Sequence, residues 1–178
     1  ILIQGSTILG RAGFGVGTSA EALELRLSGI HQPILVLGTV VDGEVPALLE
    51  HAIEIGLHST DRAEKLQSHG LQAGQVARVH VNIDTGMGRL GVGPGKAIEL
   101  LEAISQSSHL ELAGVMTHIS SSEGALDPRT SEQVRLFNQT LDGARARGLK
   151  LGMIHISNSA CLFTGLSPLH DLVRPGIS

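Results

Sequence analysis

The chain has 178 residues, a net charge of −4 at pH 7 and 42% hydrophobic residues, which suits one domain with a sizeable core. The acidic balance argues against nucleic acid as a partner, and no apolar run approaches the roughly 20 residues that a membrane span needs. A single cysteine, Cys161, gives neither a disulfide framework nor a cysteine-based zinc site. We therefore expect no metal, no membrane and a cytoplasmic location.

Short apolar runs alternate with helical stretches along the chain. Strands are predicted at Phe14–Gly17, Pro33–Gly38, Ala52–Ser59, Val76–Asp84, Leu112–His118, Leu151–Ser157 and Leu172–Ile177. Helices are predicted between them, at about 19–29, 44–51, 60–70, 94–107, 128–148 and 159–165. Thr18 with Glu21 predicts a capping box at the first helix, and Asp127 before Pro128 predicts an N-cap. Strands that alternate with helices indicate βαβ units and a parallel sheet.

The polar residues of the fourth predicted strand distinguish a barrel from an open sheet. Arg78, His80, Asn82 and Asp84 occur at every second position, so they share one face of the strand. A strand with one polar face, flanked by helices, fits a barrel whose helices cover its outside. An open doubly wound sheet is the alternative, but Phe14–Gly17 lacks the third glycine of a dinucleotide loop. The sequence predicts an incomplete TIM-type (β/α)8 barrel of about seven βα units over residues 1–178.

Three polar clusters lie where predicted strands end. They are Asp84–Gly91, His155–Ala160 and Arg174–Ser178. Barrels commonly bind phosphate after their last two strands, through loop N–H groups and a hydroxyl. Ser159 can supply the hydroxyl, while Gly176 and Ile177 can supply backbone N–H groups. The chain lacks the lysine of a P-loop at these positions, which argues against a nucleoside triphosphate.

These clusters, in order and correctly spaced, resemble the signatures of the alanine racemase family. Phe14–Gly17 followed by Glu21–Arg26, and the strand Pro33–Gly38, add to the resemblance, which covers the chain from about Phe14. It implies a pyridoxal-phosphate barrel followed by a β-rich domain in a homodimer. It also implies racemisation of L-alanine to D-alanine for peptidoglycan synthesis.

The resemblance assigns roles to individual residues. Ser159, Gly176 and Ile177 would hold the cofactor phosphate, Asn158 belongs to the same motif, and His118 would lie against the ring. Arg174 would face the pyridine nitrogen, with His155 orienting it, and Arg89 would reach the phenolic oxygen as a supporting catalytic residue. Since an arginine only donates and stays charged, Arg174 would keep that nitrogen unprotonated. The cofactor would then be a weak electron sink, which limits transamination.

Two groups that racemisation needs in this family do not match the sequence. The family holds the cofactor as a Schiff base on a first-strand lysine, but the only lysines here are Lys65, Lys96 and Lys150, all in or beside predicted helices. The family's second base is a tyrosine from the partner subunit, and this chain has no tyrosine. We therefore expect the first strand and the second domain to lie outside this sequence, and the piece alone to be inactive.

Asn82 stands where many relatives have a carbamylated lysine. Alternation directs its side chain into the barrel beside Arg89, where a buried guanidinium without a counter-charge would be costly. The hypothesis is that a small anion, chloride, lies between Asn82 and Arg89. Asp84 is the alternative counter-charge, unless it binds N–H groups of its own turn.

Two other functions are compatible with the same residues. One is a different activity in the same group, such as a serine racemase or a fold-related pyridoxal enzyme, for example an amino-acid decarboxylase. The other is a non-catalytic protein that binds or carries pyridoxal phosphate. The Asp84–Gly91 cluster and a tyrosine-bearing second domain would favour the racemase over a carrier.

Overall fold

Eight strands form one sheet in which β2 to β8 run parallel, in a computed structural model that describes residues 3–6, 12–120, 128–165 and 167–176. The strands are β1 (Ile3–Ser6), β2 (Ala12–Val16), β3 (Ile34–Val36), β4 (Glu54–Leu57), β5 (Ala77–Asn82), β6 (Leu110–Met116), β7 (Met153–Asn158) and β8 (Leu172–Arg174). Their order in the sheet follows the sequence. This arrangement confirms the predicted barrel with about seven βα units.

Six α-helices connect the parallel strands and cover the outside of the barrel. They are α1 (Ser19–Leu27), α2 (Val45–Glu50), α3 (Thr60–Ala73), α4 (Pro94–Gln106), α5 (Pro128–Ala146) and α6 (Ser159–Thr164), with a 3-10 turn at Asp42–Glu44 before α2. The predicted elements are all present, with ends that shift by a few residues. For example, α3 continues past residue 70 until Gly74 adopts a left-handed conformation (φ 63°), which ends helices because glycine has no Cβ to clash.

Strand β1 is the element that the sequence did not predict. It pairs antiparallel with β2, with Ile3 opposite Gly15, and its backbone also approaches β8. It therefore lies between the two ends of the parallel sheet and nearly closes the barrel. Strand β2 is also longer at its start than the predicted Phe14–Gly17, because it continues alongside β1.

The parallel strands separate apolar and polar residues as their alternation predicts. In β5, Ala77, Val79 and Val81 are buried in the hydrophobic core under the helices, whereas His80 and Asn82 face the interior of the barrel. The interior therefore holds polar groups, and the apolar core is a layer between sheet and helices. Among the described residues, no helix combines the length and apolar character needed to cross a membrane.

Local signals in the sequence fix how the first βα unit begins. Thr18 Oγ1 accepts the N–H of Glu21 at 3.2 Å, and Glu21 Oε2 accepts the N–H of Thr18 at 3.0 Å. This reciprocal pair is the predicted capping box. The predicted N-cap at Asp127 lies outside the described residues.

Candidate functional site

A cavity of about 750 Å³ opens at the carboxyl ends of the strands, the face where barrel enzymes carry their sites. Most of the residues singled out from the sequence line it. The lining consists of Val16, Gly17, Glu21, Leu37, Gly38, Asn82, Met87, Arg89, Leu90, Met116, Thr117, His118, Asn158, Ser159, Ala160, Arg174 and Gly176. Three separate sequence clusters thus meet at one cavity, as the predicted barrel requires. Ile177 lies outside the described residues.

The two candidate phosphate ligands that the structure describes are adjacent. Gly176 donates its backbone N–H to Ser159 Oγ at 2.7 Å. Asn158 precedes them as the N-cap of α6: its Oδ1 accepts the N–H of Cys161 at 3.0 Å, and its Nδ2 donates to Ile119 O at 3.3 Å. Asn158 therefore caps the helix and also ties it to the loop after β6. The Ser159 hydroxyl keeps its own proton to donate to an anionic oxygen at the cavity wall, and the Gly176 N–H, which Ser159 engages here, lies directly beside it.

Arg174 lies at the floor of the cavity, 8% exposed, with part of its guanidinium held by the barrel. Nη1 donates to His155 Nδ1 at 2.7 Å, and Nη2 donates to Thr117 O at 2.7 Å and to Ile156 O at 3.2 Å. Among the described residues, the Nε–H and one Nη1–H have no acceptor. Burial lowers the pKa of Arg174 to about 10, so the group is still charged at neutral pH. It offers free N–H donors to a bound ring.

His155 does not line this cavity but lies beneath Arg174, where it starts a chain of buried hydrogen bonds. His155 Nε2 is 2.9 Å from His80 Nδ1, and His80 Nε2 is 2.9 Å from Glu54 Oε2. Glu54 also accepts from Arg78 Nε at 3.0 Å. The sequence therefore placed His155 near Arg174 correctly. It gave no role to Glu54 or His80, although both sit on inward positions of predicted strands.

Along this series of hydrogen bonds, the position of each proton follows from the donor that precedes it. Arg174 can only donate, so His155 Nδ1 must be an acceptor and the single proton of a neutral His155 sits on Nε2. That N–H donates to His80 Nδ1, so the proton of His80 sits on Nε2 and donates to Glu54. Burial, the charge of Arg174 and His80 lower the pKa of His155 well below its usual value. Burial alone would raise the pKa of Glu54, but hydrogen bonds from His80 and Arg78 lower it overall.

His118 lies on the cavity wall between two cations. Burial is the main cause that lowers the pKa of His118, and the charges of Arg174 and Arg89 add to it. Together they bring this pKa from 6.5 to about 4. The imidazole is therefore neutral at physiological pH and presents an uncharged face to the cavity. A neutral ring is better suited than an imidazolium to lie against an aromatic cofactor beside two guanidinium groups.

The structure shows whether Asp84 is free to serve as the counter-charge of Arg89. Asp84 Oδ1 and Oδ2 accept the N–H groups of Gly86, Met87 and Gly88 at 2.8 to 3.1 Å, so this carboxylate is committed to its own turn. Asn82 Nδ2 donates to Leu90 O at 2.9 Å. Arg89 itself is exposed, so the expectation that it is a buried guanidinium is wrong. Its loop ends at the cavity rim, where water can solvate the charge.

None of the lysines lies at the cavity. Lys65 is on α3, Lys96 is on α4 and Lys150 follows α5; the part of the chain that the structure describes therefore puts no amine at the cavity wall. The ring and phosphate ends of pyridoxal phosphate have matching groups here, in Arg174, His118, Ser159 and Gly176. None of the three lysines lies where it could reach the aldehyde of such a cofactor in the cavity.

Comparison with known proteins identifies the family. Residues 5–178 match the family model "Alanine racemase, N-terminal domain". The chain is 37% identical over 175 residues to the alanine racemase of Geobacter sp. (strain M21), covering 95% of this chain and 46% of that protein. It is 38% identical over 173 residues to that of Geobacter sulfurreducens, covering 95% and 45%.

Solved structures give the same result. Alanine racemase of Clostridium difficile 630, in a complex with cycloserine, superimposes with a TM-score of 0.89 at 29% identity, over 93% of this chain and 46% of that one. The enzyme from a D-cycloserine-producing Streptomyces lavendulae has a TM-score of 0.87 at 29% identity, over 94% and 44%. The chain spans about half the length of the relatives it matches, and it belongs to the alanine racemase N-terminal domain family.

Proposed function

We propose that the protein carrying this chain is a pyridoxal-phosphate-dependent racemase that interconverts L-alanine and D-alanine. The observation that carries the proposal is the meeting of Arg174, His118, Ser159 and Gly176 at one cavity, in a chain of the alanine racemase family. Pyridoxal phosphate, when bound, supplies the electron-accepting ring that acidifies the α-hydrogen of an amino acid. The residues of this chain bind and orient that ring.

Arg174 is the residue that adapts the cofactor to racemisation. Its free N–H groups would donate to the pyridine nitrogen, and a guanidinium that stays charged at neutral pH does not supply a proton to it. The chain Arg174–His155–His80–Glu54 holds the guanidinium from behind and ends on a carboxylate, which compensates the buried positive charge. This favours the return of one proton over transamination.

Ser159 and Gly176 would hold the phosphate, with Ile177 as a third ligand, and Arg89 would reach the ring substituent from the rim. Moving a proton on and off the α-carbon requires an acid/base group on each face. The described cavity wall has no lysine and the chain has no tyrosine, so those groups would come from residues outside this wall. A homodimer in which the partner completes the site follows from the family resemblance. The family resemblance further implies that the enzyme is cytoplasmic and supplies D-alanine for peptidoglycan.

The test uses the full-length protein with pyridoxal phosphate and L-alanine, and measures D-alanine by chiral chromatography. We expect conversion in both directions, with alanine turned over faster than serine. Faster turnover of serine would identify a serine racemase, and cofactor binding without turnover would identify a carrier; either result would overturn the proposal. The 178-residue chain alone is the control, and we expect no conversion above that of the free cofactor.

Two variants of the full-length protein distinguish phosphate binding by Ser159 from the role of Arg174 at the ring nitrogen. Ser159→Ala should weaken cofactor affinity by roughly ten- to a hundredfold, because one charge-assisted hydrogen bond is worth roughly 1.5–3 kcal/mol. Arg174→Gln, which can still donate but is neutral, should retain the cofactor and lose turnover. If Arg174→Gln were as active as the parent, Arg174 would not have the proposed role.

A further inference from the structure

Gln133 is a buried polar residue that none of the site motifs includes. It lies in the second turn of α5, on the helix face toward the barrel, and is only 2% exposed. Burying an amide is costly unless its donors and acceptors are paired. Here the side chain makes four hydrogen bonds, all of them to two loops at the cavity.

The four bonds define the amide completely. Oε1 accepts from the N–H of Ser120 at 3.0 Å and from Ser120 Oγ at 2.9 Å. Nε2 donates to His118 O at 3.1 Å and to Thr85 Oγ1 at 3.3 Å. A backbone N–H only donates and a carbonyl only accepts, so the two ends of the amide cannot be exchanged. Both donors and both lone pairs of Gln133 are used.

Three of these bonds hold the loop that carries His118, at the carbonyl of His118 and at Ser120. Ile119 lies between these two bonded residues and is 2% exposed. The loop follows β6 and has no regular secondary structure. Since His118 faces the cavity from this loop, the position of its ring depends on the backbone that Gln133 holds.

The same amide reaches the loop that carries Arg89. Thr85 Oγ1 receives the bond from Gln133 and is 2.8 Å from Thr117 Oγ1, and Thr117 O is one of the acceptors of Arg174. One residue later, Gly86 has φ 142°, and a Cβ built there would lie 3.3 Å from Cγ of Gln133. Gln133 therefore packs against this loop as well as bonding to it.

We propose that Gln133 is a positioning residue, which fixes the loop of His118 to the loop of Arg89 so that both side chains meet a ligand in the cavity. The proposal deepens the proposed function and rests on it for its catalytic part. Its structural part, that one helix side chain locks two cavity loops together, is independent of the reaction.

The experiment uses the full-length protein and the variant Gln133→Met, which keeps the length of the side chain and removes every hydrogen bond. Thr140→Val is the matched control. It lies on the same helix, is also buried at 6% exposed, and bonds, among the described residues, only to Leu136 O of its own helix. Amide hydrogen exchange by mass spectrometry reports residues 84–91 and 117–120 without cofactor. Visible circular dichroism of bound pyridoxal phosphate reports the orientation of its ring, and alanine kinetics report kcat and KM.

We expect Gln133→Met to speed exchange in both loops at least about tenfold and to change the dichroism of the bound cofactor. We expect kcat to fall by about ten- to a hundredfold, the range for a small misplacement near a reacting centre, while KM changes less. Thr140→Val should change none of these beyond a general loss of stability.

Unchanged exchange in Gln133→Met, or equal effects in Thr140→Val, would overturn the proposal and show that Gln133 only fills the core. Failure of the proposed function has a different signature, because the unmodified protein would then not racemise alanine. The exchange measurement would still decide whether Gln133 locks the two loops.

Discussion

Arg174 Nη1 donates to His155 Nδ1 across 2.7 Å inside the barrel, and this bond determines the protonation of everything behind it. His155 is 1% exposed and must carry its proton on Nε2, and His80 must do the same in turn. Arg174 is thus connected to a buried carboxylate, Glu54, through the rings of two histidines. A guanidinium held in this way has a fixed orientation before any ligand binds, which reduces the cost of binding.

The tautomers of this chain are directly measurable. In the full-length protein labelled with ¹⁵N-histidine, we expect the proton shared between His155 and His80 to lie on His155 Nε2, and the proton facing Glu54 to lie on His80 Nε2, because Arg174 can only donate to His155 Nδ1. Glu54→Gln keeps an acceptor for His80 and should leave both spectra unchanged. Glu54→Leu leaves a buried N–H unpaired and should cost about 1–3 kcal/mol of unfolding free energy. An Nδ1–H tautomer at either histidine in the unmodified protein would contradict the assignment.

Gly114 has no side chain, and the ring of His80 occupies the space that a side chain would fill. It faces His80 across the β5–β6 pair, and a Cβ built on it would lie 2.5 Å from His80 Nδ1 and from Met153 O. Gly114→Ala should therefore displace His80 and destabilise the fold by about 1–3 kcal/mol, the usual cost of overpacking. Gly95→Ala on α4 meets nothing within 4 Å and should be neutral or slightly stabilising. Equal denaturation midpoints for the two variants would refute this view of the barrel interior.

His118 should make the fold sensitive to acid. Its pKa is about 4 in the folded state and about 6.5 when unfolded, so between these values the unfolded chain binds more protons. The unfolding free energy should therefore fall as pH is lowered from about 6.5 towards 4, by up to about 3 kcal/mol from this residue. Denaturant titrations of the parent and of His118→Gln should differ in slope over that window. Identical slopes would show that His118 titrates normally.

An anion between Asn82 and Arg89 stays a prediction. Asp84 is engaged by three N–H groups of its turn and does not supply the counter-charge, but the exposure of Arg89 implies weak, salt-dependent binding. Crystals of the full-length protein soaked in bromide should show an anomalous peak in contact with Arg89. Its activity should rise with chloride at constant ionic strength. A missing peak together with indifference to chloride would mean that water alone solvates this cation.

The sequence by itself determined the barrel and most of the candidate site residues at its mouth. Alternation in β5 identified which side chains face inward, because the side-chain period of a strand is two whatever its neighbours are. The order of strands and helices then set a parallel sheet, and the carboxyl ends of parallel strands meet on one face. His118, Ser159, Arg174 and Gly176 therefore had to meet there. The capping box of Thr18 was equally local and was found from four residues.

Only the tertiary structure decided the contacts between these elements. His80 meets His155 across 75 residues and Glu54 across 26, and such pairs depend on the register between strands, which local periodicity does not contain. Gln133 is one polar position on an amphipathic helix until α5 packs over two loops. Strand β1 is antiparallel and short, and it forms because the edge of β2 offers unpaired N–H and C=O groups. Side-chain direction is a local property of the backbone, whereas the choice of partner is made by the packing of the whole barrel.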